Sequence, residues 1–227
     1  PHGSGCAMNT ETEGFAFLER VIAGYARHPN FAFVLIIGLG CETNQVKQLV
    51  EKSGLSDTSR LYYFNIQDIG GTRASIELAR NKILDMAHSQ PRPVRQPSPL
   101  SNLTVALQCG GSDGYSGITA NPALGHAADL IVKHGGSVIL SETPEIYGAE
   151  HLLLDRAVSK EVAGKLLDRI AWWKHYTEIN GAELNNNPSP GNKAGGLSTI
   201  LEKSLGAVAK GGSTSLNDVL EYAQPRT

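Results

Sequence analysis

A parallel, three-layer α/β sheet of Rossmann-like type, carrying a C-terminal loop-and-helix extension, is the fold class that the sequence predicts. Three observations predict it. Apolar runs of strand length alternate with segments of helical periodicity; each run empties through a short polar or glycine-rich loop into a helix start; and the first run is apolar throughout, as in a strand covered on both faces. In such sheets ligands bind outside the carboxyl ends of the strands, so the loops after the strands are where function is expected.

The elements follow in order. Phe15, Leu18, Ile22 and Tyr25 recur at three- and four-residue spacing and predict an amphipathic helix that ends before Pro29. "FAFVLIIGLG", residues 31–40, is the first strand, with Cys41-Glu42-Thr43-Asn44 as its outlet. A helix over residues 45–53 stops at Gly54, and "LYYFNI", residues 61–66, is the second strand. It leads through Gly70-Gly71-Thr72 into a helix that runs to Met86. The proline-dotted residues 89–101 break the pattern and read as an exposed connection. "LTVALQ", residues 103–108, is the third strand; the loop "CGGSDGYSGITAN" follows, with Asn121 as the cap of a helix and Pro122 in its first turn. Gly135-Gly136 closes that helix, residues 137–141 form the fourth strand, and Thr143-Pro144 repeats the cap-then-proline start. Val158, Val162, Leu166, Ile170 and Trp173 then form one helical stripe. Residues 1–176 thus read as an α/β domain with site-forming loops, and residues 177–227 as an Asn/Pro/Gly-rich loop and helices that complete the site.

Bulk composition narrows the class of function. With 227 residues the chain can bury one substantial core, and with 20 basic and 22 acidic side chains it has no basic excess for a nucleic-acid groove or a membrane patch. The expected partner is a small molecule. No apolar run reaches the roughly 18 residues of a membrane span, and three widely separated cysteines fit a reducing compartment, so a cytoplasmic location is expected. Pro1-His2-Gly3-Ser4-Gly5-Cys6 reads as the interior of a glycine-rich loop, which predicts that the chain is a piece of a longer polypeptide.

Cys6 and Cys41 each follow a glycine and Cys109 precedes two. Thiolates on bare backbone suit iron, zinc or an iron–sulfur cluster, while a buried apolar thiol is the ordinary alternative. Glu42 and Glu142 lie at strand outlets, where either could orient a ligand or act as a base; Glu145 has a sufficient local reason in the charge it places at a helix start. Asp113 has an ordinary role in turns, His2 shares its loop with Cys6, and Lys203, set near Asn192 and Ser204, can meet a carboxylate. No dinucleotide fingerprint follows any strand.

"HGSGCAM", "GLGCETNQ", "IQDIGGT", "CGGSDGYSGITANPA", "SETPEIYGAEHLL" and "NPSPGNKAGGLSTILEKSLGAVAKGG" together resemble the altronate and galactarate dehydratase family, the sugar-acid hydro-lyases also called altronate hydrolases. The similarity runs over nearly the whole chain. It implies a chain truncated at both ends relative to the family, whose members carry a small N-terminal β-rich domain and a further C-terminal portion. It also implies dehydration of an altronate- or galactarate-type acid to a 2-keto-3-deoxy acid with iron(II), or alternatively a 4Fe–4S cluster, as cofactor. Under this resemblance Cys6, Cys41 and Cys109, with His2, are the metal-side set, and Glu42 or Glu142 is the base, with Lys203 beside the chemistry. Ser112, Asp113, Ser116 and Asn121 hold substrate hydroxyls, while Asn192, Lys203 and Ser204 lie near its carboxylate. Expected partners are a sugar acid, the remaining terminal portions of the enzyme and a second copy of the chain. Two alternatives stand beside this: the sulfolactate sulfo-lyase branch, and a sugar-acid-binding module without turnover. The fragment by itself is not expected to hold a complete site.

Overall fold

A computed structural model describes residues 7–55, 60–89 and 93–224. His2 and Cys6 lie outside the described residues. The chain divides into two compact units, the first made of residues 1–95 with 220–227 and the second of residues 96–219. Each unit is built around one parallel pair of strands joined through helical crossovers.

In the first unit α1 spans Glu13–Arg27, and the hydroxyl of Thr12 caps it by accepting from the Phe15 N–H at 3.3 Å. The buried line on α1 is Phe15, Glu19 and Ala23 rather than the expected Phe15, Leu18, Ile22 and Tyr25, and Tyr25 is exposed. Glu19 lies on the inner line because Lys52 donates to its carboxylate. β1 (Val34–Gly38) pairs in parallel with β2 (Leu61–Asn65), joined through α2 (Val46–Lys52), with Val34 opposite Leu61 and Gly38 opposite Asn65. Ala23, Val46, Val50 and Leu55 form the core. The both-sides burial expected of the first strand does not hold within this unit: Ile37 is 47 % exposed, because among the described residues one strand and few helices cover it. At Gly38 only a hydrogen fits. A Cβ there would stand 2.5 Å from Asn65 Oδ1 and 2.7 Å from Glu42 Oε1. After β2 come α3 (Ile66–Ile69) and α4 (Thr72–Ser89), separated by Gly70 and Gly71, both left-handed. Phe17 meets Tyr222 edge to face, which attaches the last residues to this unit.

In the second unit β3 (Thr104–Leu107) pairs in parallel with β4 (Ser137–Leu140) across α5 (Ala120–Lys133). Asn121 is not the cap of α5. The helix begins at Ala120, so Asn121 lies in the first turn, its N–H donating to the Ser116 carbonyl at 2.9 Å. Thr143-Pro144 opens a single 3-10 turn, Thr143–Ile146, instead of an α-helix. Then follow α6 (His151–Leu154) and α7 (Lys160–Ile179), the latter capped by Ser159 and burying Val162, Leu166 and Ile170 as the stripe predicts; Val158 lies before it and is exposed. α8 (Pro190–Ala194) starts with a reciprocal Ser189–Asn192 capping box, and α9 (Ile200–Ala209) is capped by Thr199. Ile146, Ala149, Leu153, Leu166, Ile170, Ala207 and Val208 form the core of this unit, and each large aliphatic among them contributes about 1.5–3 kcal/mol of burial. α9 packs on the 3-10 turn and on α5. Its approach is very close. A Cβ on Gly206 would lie 3.0 Å from the Cα of Gly117, and one on Gly125 would overlap the Ala209 carbonyl. The parallel α/β character is therefore present in two separate two-stranded pairs, one per unit, among the described residues.

Candidate functional site

Each parallel pair delivers a cysteine at its outlet, and in each a carboxylate accepts the main-chain N–H groups of that outlet. In the first unit Glu42 accepts from the N–H of Leu39 at 2.8 Å and from that of Gly40, while Gln45 Nε2 donates to the carbonyls of Gly40 and Glu42. Burial alone would raise the Glu42 carboxyl, but the main-chain N–H groups of residues 39–42 outweigh it and hold it below the usual value. Its carboxylate fixes the loop that exposes Cys41.

The second unit assembles a larger cluster. The strand β3 ends at Leu107 and places Cys109 two residues beyond it; β4 ends at Leu140 and leads through Ser141 to Glu142. In a 3-10 turn residues three apart lie one above the other, so Glu142 and Glu145 face the same way. On α9 and its C-terminal cap Lys203 and Lys210 are two turns apart on one face, and that face packs on the turn. Four charged groups therefore meet. Lys203 Nζ lies 3.2 Å from Glu145 Oε1, Lys210 Nζ lies 3.2 Å from Glu145 Oε2 and 3.7 Å from Glu142 Oε2, and the Cys109 N–H donates to Glu142 Oε2. Both ammoniums and Glu145 are buried. Leu107, Leu140, Ser141, Ile146 and Ala207 complete the walls of the small cavity at Glu142, Glu145 and Lys210.

The two carboxyls titrate in opposite directions. For Glu142, burial raises the carboxyl, and the hydrogen bond and negative charge of Glu145 raise it further, against the Cys109 N–H and Lys210. For Glu145, burial alone would raise the carboxyl, but the Cys109 thiol, Lys210, the hydrogen bond from Glu142 and Lys203 together hold it down. Two ammoniums thus face two carboxyls, Glu145 lying between both cations and Glu142 toward Lys210 alone.

Of the residues expected from sequence, Cys109, Ser112, Glu142, Asn192 and Lys203 come together here. Cys109 Sγ is 2.8 Å from Ser112 Oγ, Asn192 Nδ2 donates to the Ser112 carbonyl at 2.9 Å, and Lys203 Nζ donates to Asn192 Oδ1 at 3.2 Å and to Asn187 Oδ1. Asp113 and Ser116 spend their groups on each other: Asp113 Oδ1 accepts from the N–H of Tyr115 and from the N–H and hydroxyl of Ser116. The Tyr115 N–H first, then Ser116, hold the Asp113 carboxyl low. Ser204 is fully buried, with no partner found for its hydroxyl among the described residues. Sequence reasoning missed Lys210, assigned Glu145 to its helix start alone, and passed over Asn187. The signal for Lys210 was its seven-residue spacing from Lys203.

Thiolates are soft donors of the kind that suits a metal, whereas the carboxylates here are already engaged. Cys41 and Cys109 each follow a strand, and the space beside Gly110 and Gly111 next to Cys109 is open, which suits a soft donor approached closely by iron. The negative charge of the Glu142–Glu145 pair is already met by two ammoniums, which disfavours a cation there. Among the described residues no group of three or more His, Cys, Asp or Glu is placed to hold a metal ion.

Comparison with known proteins completes the description. Residues 100–227 match the family described as D-galactarate/Altronate dehydratase, C-terminal, and residues 1–90 match D-galactarate dehydratase/Altronate hydrolase, second domain. The altronate dehydratase of Bacillus subtilis is 39 % identical over 91 % of this chain and 41 % of its own length. The altronate dehydratase of Escherichia coli is 38 % identical over 98 % of this chain and 44 % of its own length, and the galactarate dehydratase (L-threo-forming) of the same organism is 38 % identical over 92 % and 41 %. The chain thus spans about two fifths of the length of these curated relatives.

Proposed function

Because the chain belongs to the D-galactarate/altronate dehydratase family, we propose that it forms the core of a hydro-lyase that converts an altronate- or galactarate-type sugar acid to a 2-keto-3-deoxy acid. The observation that carries this reading is the cluster of Glu142, Glu145, Lys203 and Lys210 converging on Cys109.

The reaction removes a proton from the carbon beside a carboxylate and expels the β-hydroxyl, and it needs an acid–base group, positive charge for the growing enolate and a means of helping the hydroxyl leave. Glu142 is the acid–base group. It is partly exposed and its carboxyl is raised, so as a carboxylate it can take the carbon proton and then hand that same proton to the departing hydroxyl, leaving as water, and it ends the turnover ionised as it began. Glu42, whose oxygens are engaged by main-chain N–H groups, is the weaker choice for the base. The positive charge of Lys203 favours the substrate carboxylate and the enolate, with Asn192 and Ser204 on the same side. Ser112, Asp113, Ser116 and Asn121 form the loop that we propose holds the substrate hydroxyls, the mutual bonds of Asp113 and Ser116 setting its shape. The thiols of Cys6, Cys41 and Cys109, with His2, would hold iron(II) or a 4Fe–4S cluster, which would supply Lewis acidity toward the departing oxygen. Residues 177–227 complete the site, a reading supported by Asn192, which donates to the Ser112 carbonyl, and by Lys203, which pairs with Glu145 and donates to Asn187. We infer a cytoplasmic location, which the free thiols of Cys41 and Cys109 support.

The test is anaerobic iron reconstitution of the full-length protein, metal analysis, and assay of keto acid from altronate and galactarate, with sulfite release from sulfolactate as a parallel arm. Keto acid lost on chelation and in Glu142→Gln is the expected result. A metal-loaded protein that releases keto acid from neither acid overturns the reading, and sulfite release moves it to the sulfo-lyase branch.

A further inference from the structure

The polar contacts around Cys109 close into a ring. The Cys109 N–H donates to Glu142; Lys210 bridges Glu142 and Glu145; Lys203 joins Glu145 to Asn192; Asn192 donates to the Ser112 carbonyl; and the Ser112 hydroxyl returns to the Cys109 thiol at 2.8 Å. The ring begins and ends on a four-residue turn, and the rest of it comes from the 3-10 turn 143–146, the capping box of α8 and the inner face of α9. We propose that Lys210 is the positioning residue of this ring: its ammonium, in contact with both carboxylates, holds Glu142 on the Cys109 N–H and so sets where the thiol and the acid–base carboxyl stand.

Two observations separate this role from a plain ion pair. Lys210 is almost fully buried, and its ammonium bridges the two carboxylates at the 3-10 turn, so it sets their spacing as well as their charge. Asn192 complements it from the far side. Its amide oxygen accepts from the Ser189 N–H and Lys203, and its NH2 donates to Ser112, so its groups are spent on holding the turn. Without Lys210 two carboxyls share a buried space with one cation fewer, and Glu142 is free to leave the Cys109 N–H.

The kinetic part of this inference rests on the dehydratase reading; the chemical part does not. The experiment uses the full-length protein and its Lys210→Met and Lys210→Arg variants. After chelation, iodoacetamide labelling of Cys109 is followed by peptide mass spectrometry, with exposed Cys41 as the internal reference. In Lys210→Met, Cys109 labelling is expected to rise about tenfold as the turn opens, with Cys41 unchanged and the arginine variant close to wild type. With metal restored, kcat falls about 100-fold while KM moves less than about threefold, and arginine recovers much of the loss. Should Lys210→Met fail to fold, the Glu142→Gln/Lys210→Gln pair, which strands no charge, carries the labelling arm. Cys109 labelling within about twofold of wild type in the folded variant overturns the proposal. A wild-type protein that releases no keto acid defeats the dehydratase reading and leaves the labelling result to decide Lys210.

Discussion

Glu145 shows how much one side chain can hold. Its two oxygens face two different ammoniums, both buried with it, and a third partner is the Cys109 thiol. Such a group cannot be neutralised without leaving two buried cations short of charge. Glu145→Gln is expected to cost about 3–5 kcal/mol of unfolding free energy, read by urea denaturation of the second unit's tryptophans in the full-length protein. A loss below about 1 kcal/mol shows that the cluster rearranges freely. From sequence Glu145 looked like an ordinary acidic residue in a first turn. That reading is locally sufficient, because the partners that redefine it lie 58 and 65 positions away.

Elements with a strong period were the most legible. The middle of the expected stripe, Val162, Leu166 and Ile170, is buried on α7 because one apolar face meets one core, while Val158 is exposed and Trp173 half-buried; on α1 the inner line includes Glu19, a residue that apolar periodicity cannot select. The start of α5 was misplaced by two residues for a related reason. Asn121 has good capping chemistry, but the preceding turn takes its N–H to the Ser116 carbonyl and the helix has already begun. Glycines separate the two kinds of constraint. Gly164 lies inside α7 with nothing near its missing Cβ, so Gly164→Ala is expected to stabilise by about 0.5–1 kcal/mol, seen as a rise in Tm. Gly125 sits where α5 touches the end of α9, so Gly125→Ala is expected to cost about 1–3 kcal/mol and to loosen that contact. Equal effects of the two substitutions contradict the packing of α5 on α9.

Across the whole chain, the two parallel pairs were legible because each is local, while the site was legible only in parts, because it is made by segments distant in sequence. Asp129 is one of the long ties. Its oxygens accept from the Ser213 N–H at 2.7 Å and the Ser213 hydroxyl at 2.9 Å. Burial would raise its carboxyl, but Ser213, the Thr214 N–H and Arg156 outweigh that and hold it low. A carboxyl lowered on folding binds fewer protons in the folded state, so this contribution is complete above the ordinary aspartate value of about 3.9 and is lost as pH falls through the folded value. Asp129→Asn is therefore expected to lower Tm at pH 7 and to match wild type near pH 2, as scanning calorimetry would show; a gap that persists in acid contradicts the tie. Length of separation has one more consequence. The loop that follows Cys109 is seated, through Asp113, Gly114 and Gly117, on Gly195, Gly196 and Gly206, residues that come much later in the chain. During synthesis the ribosome releases that cysteine well before its seat exists, so the thiol is most open to oxidation in the nascent chain, and anaerobic expression protects the protein at its weakest moment.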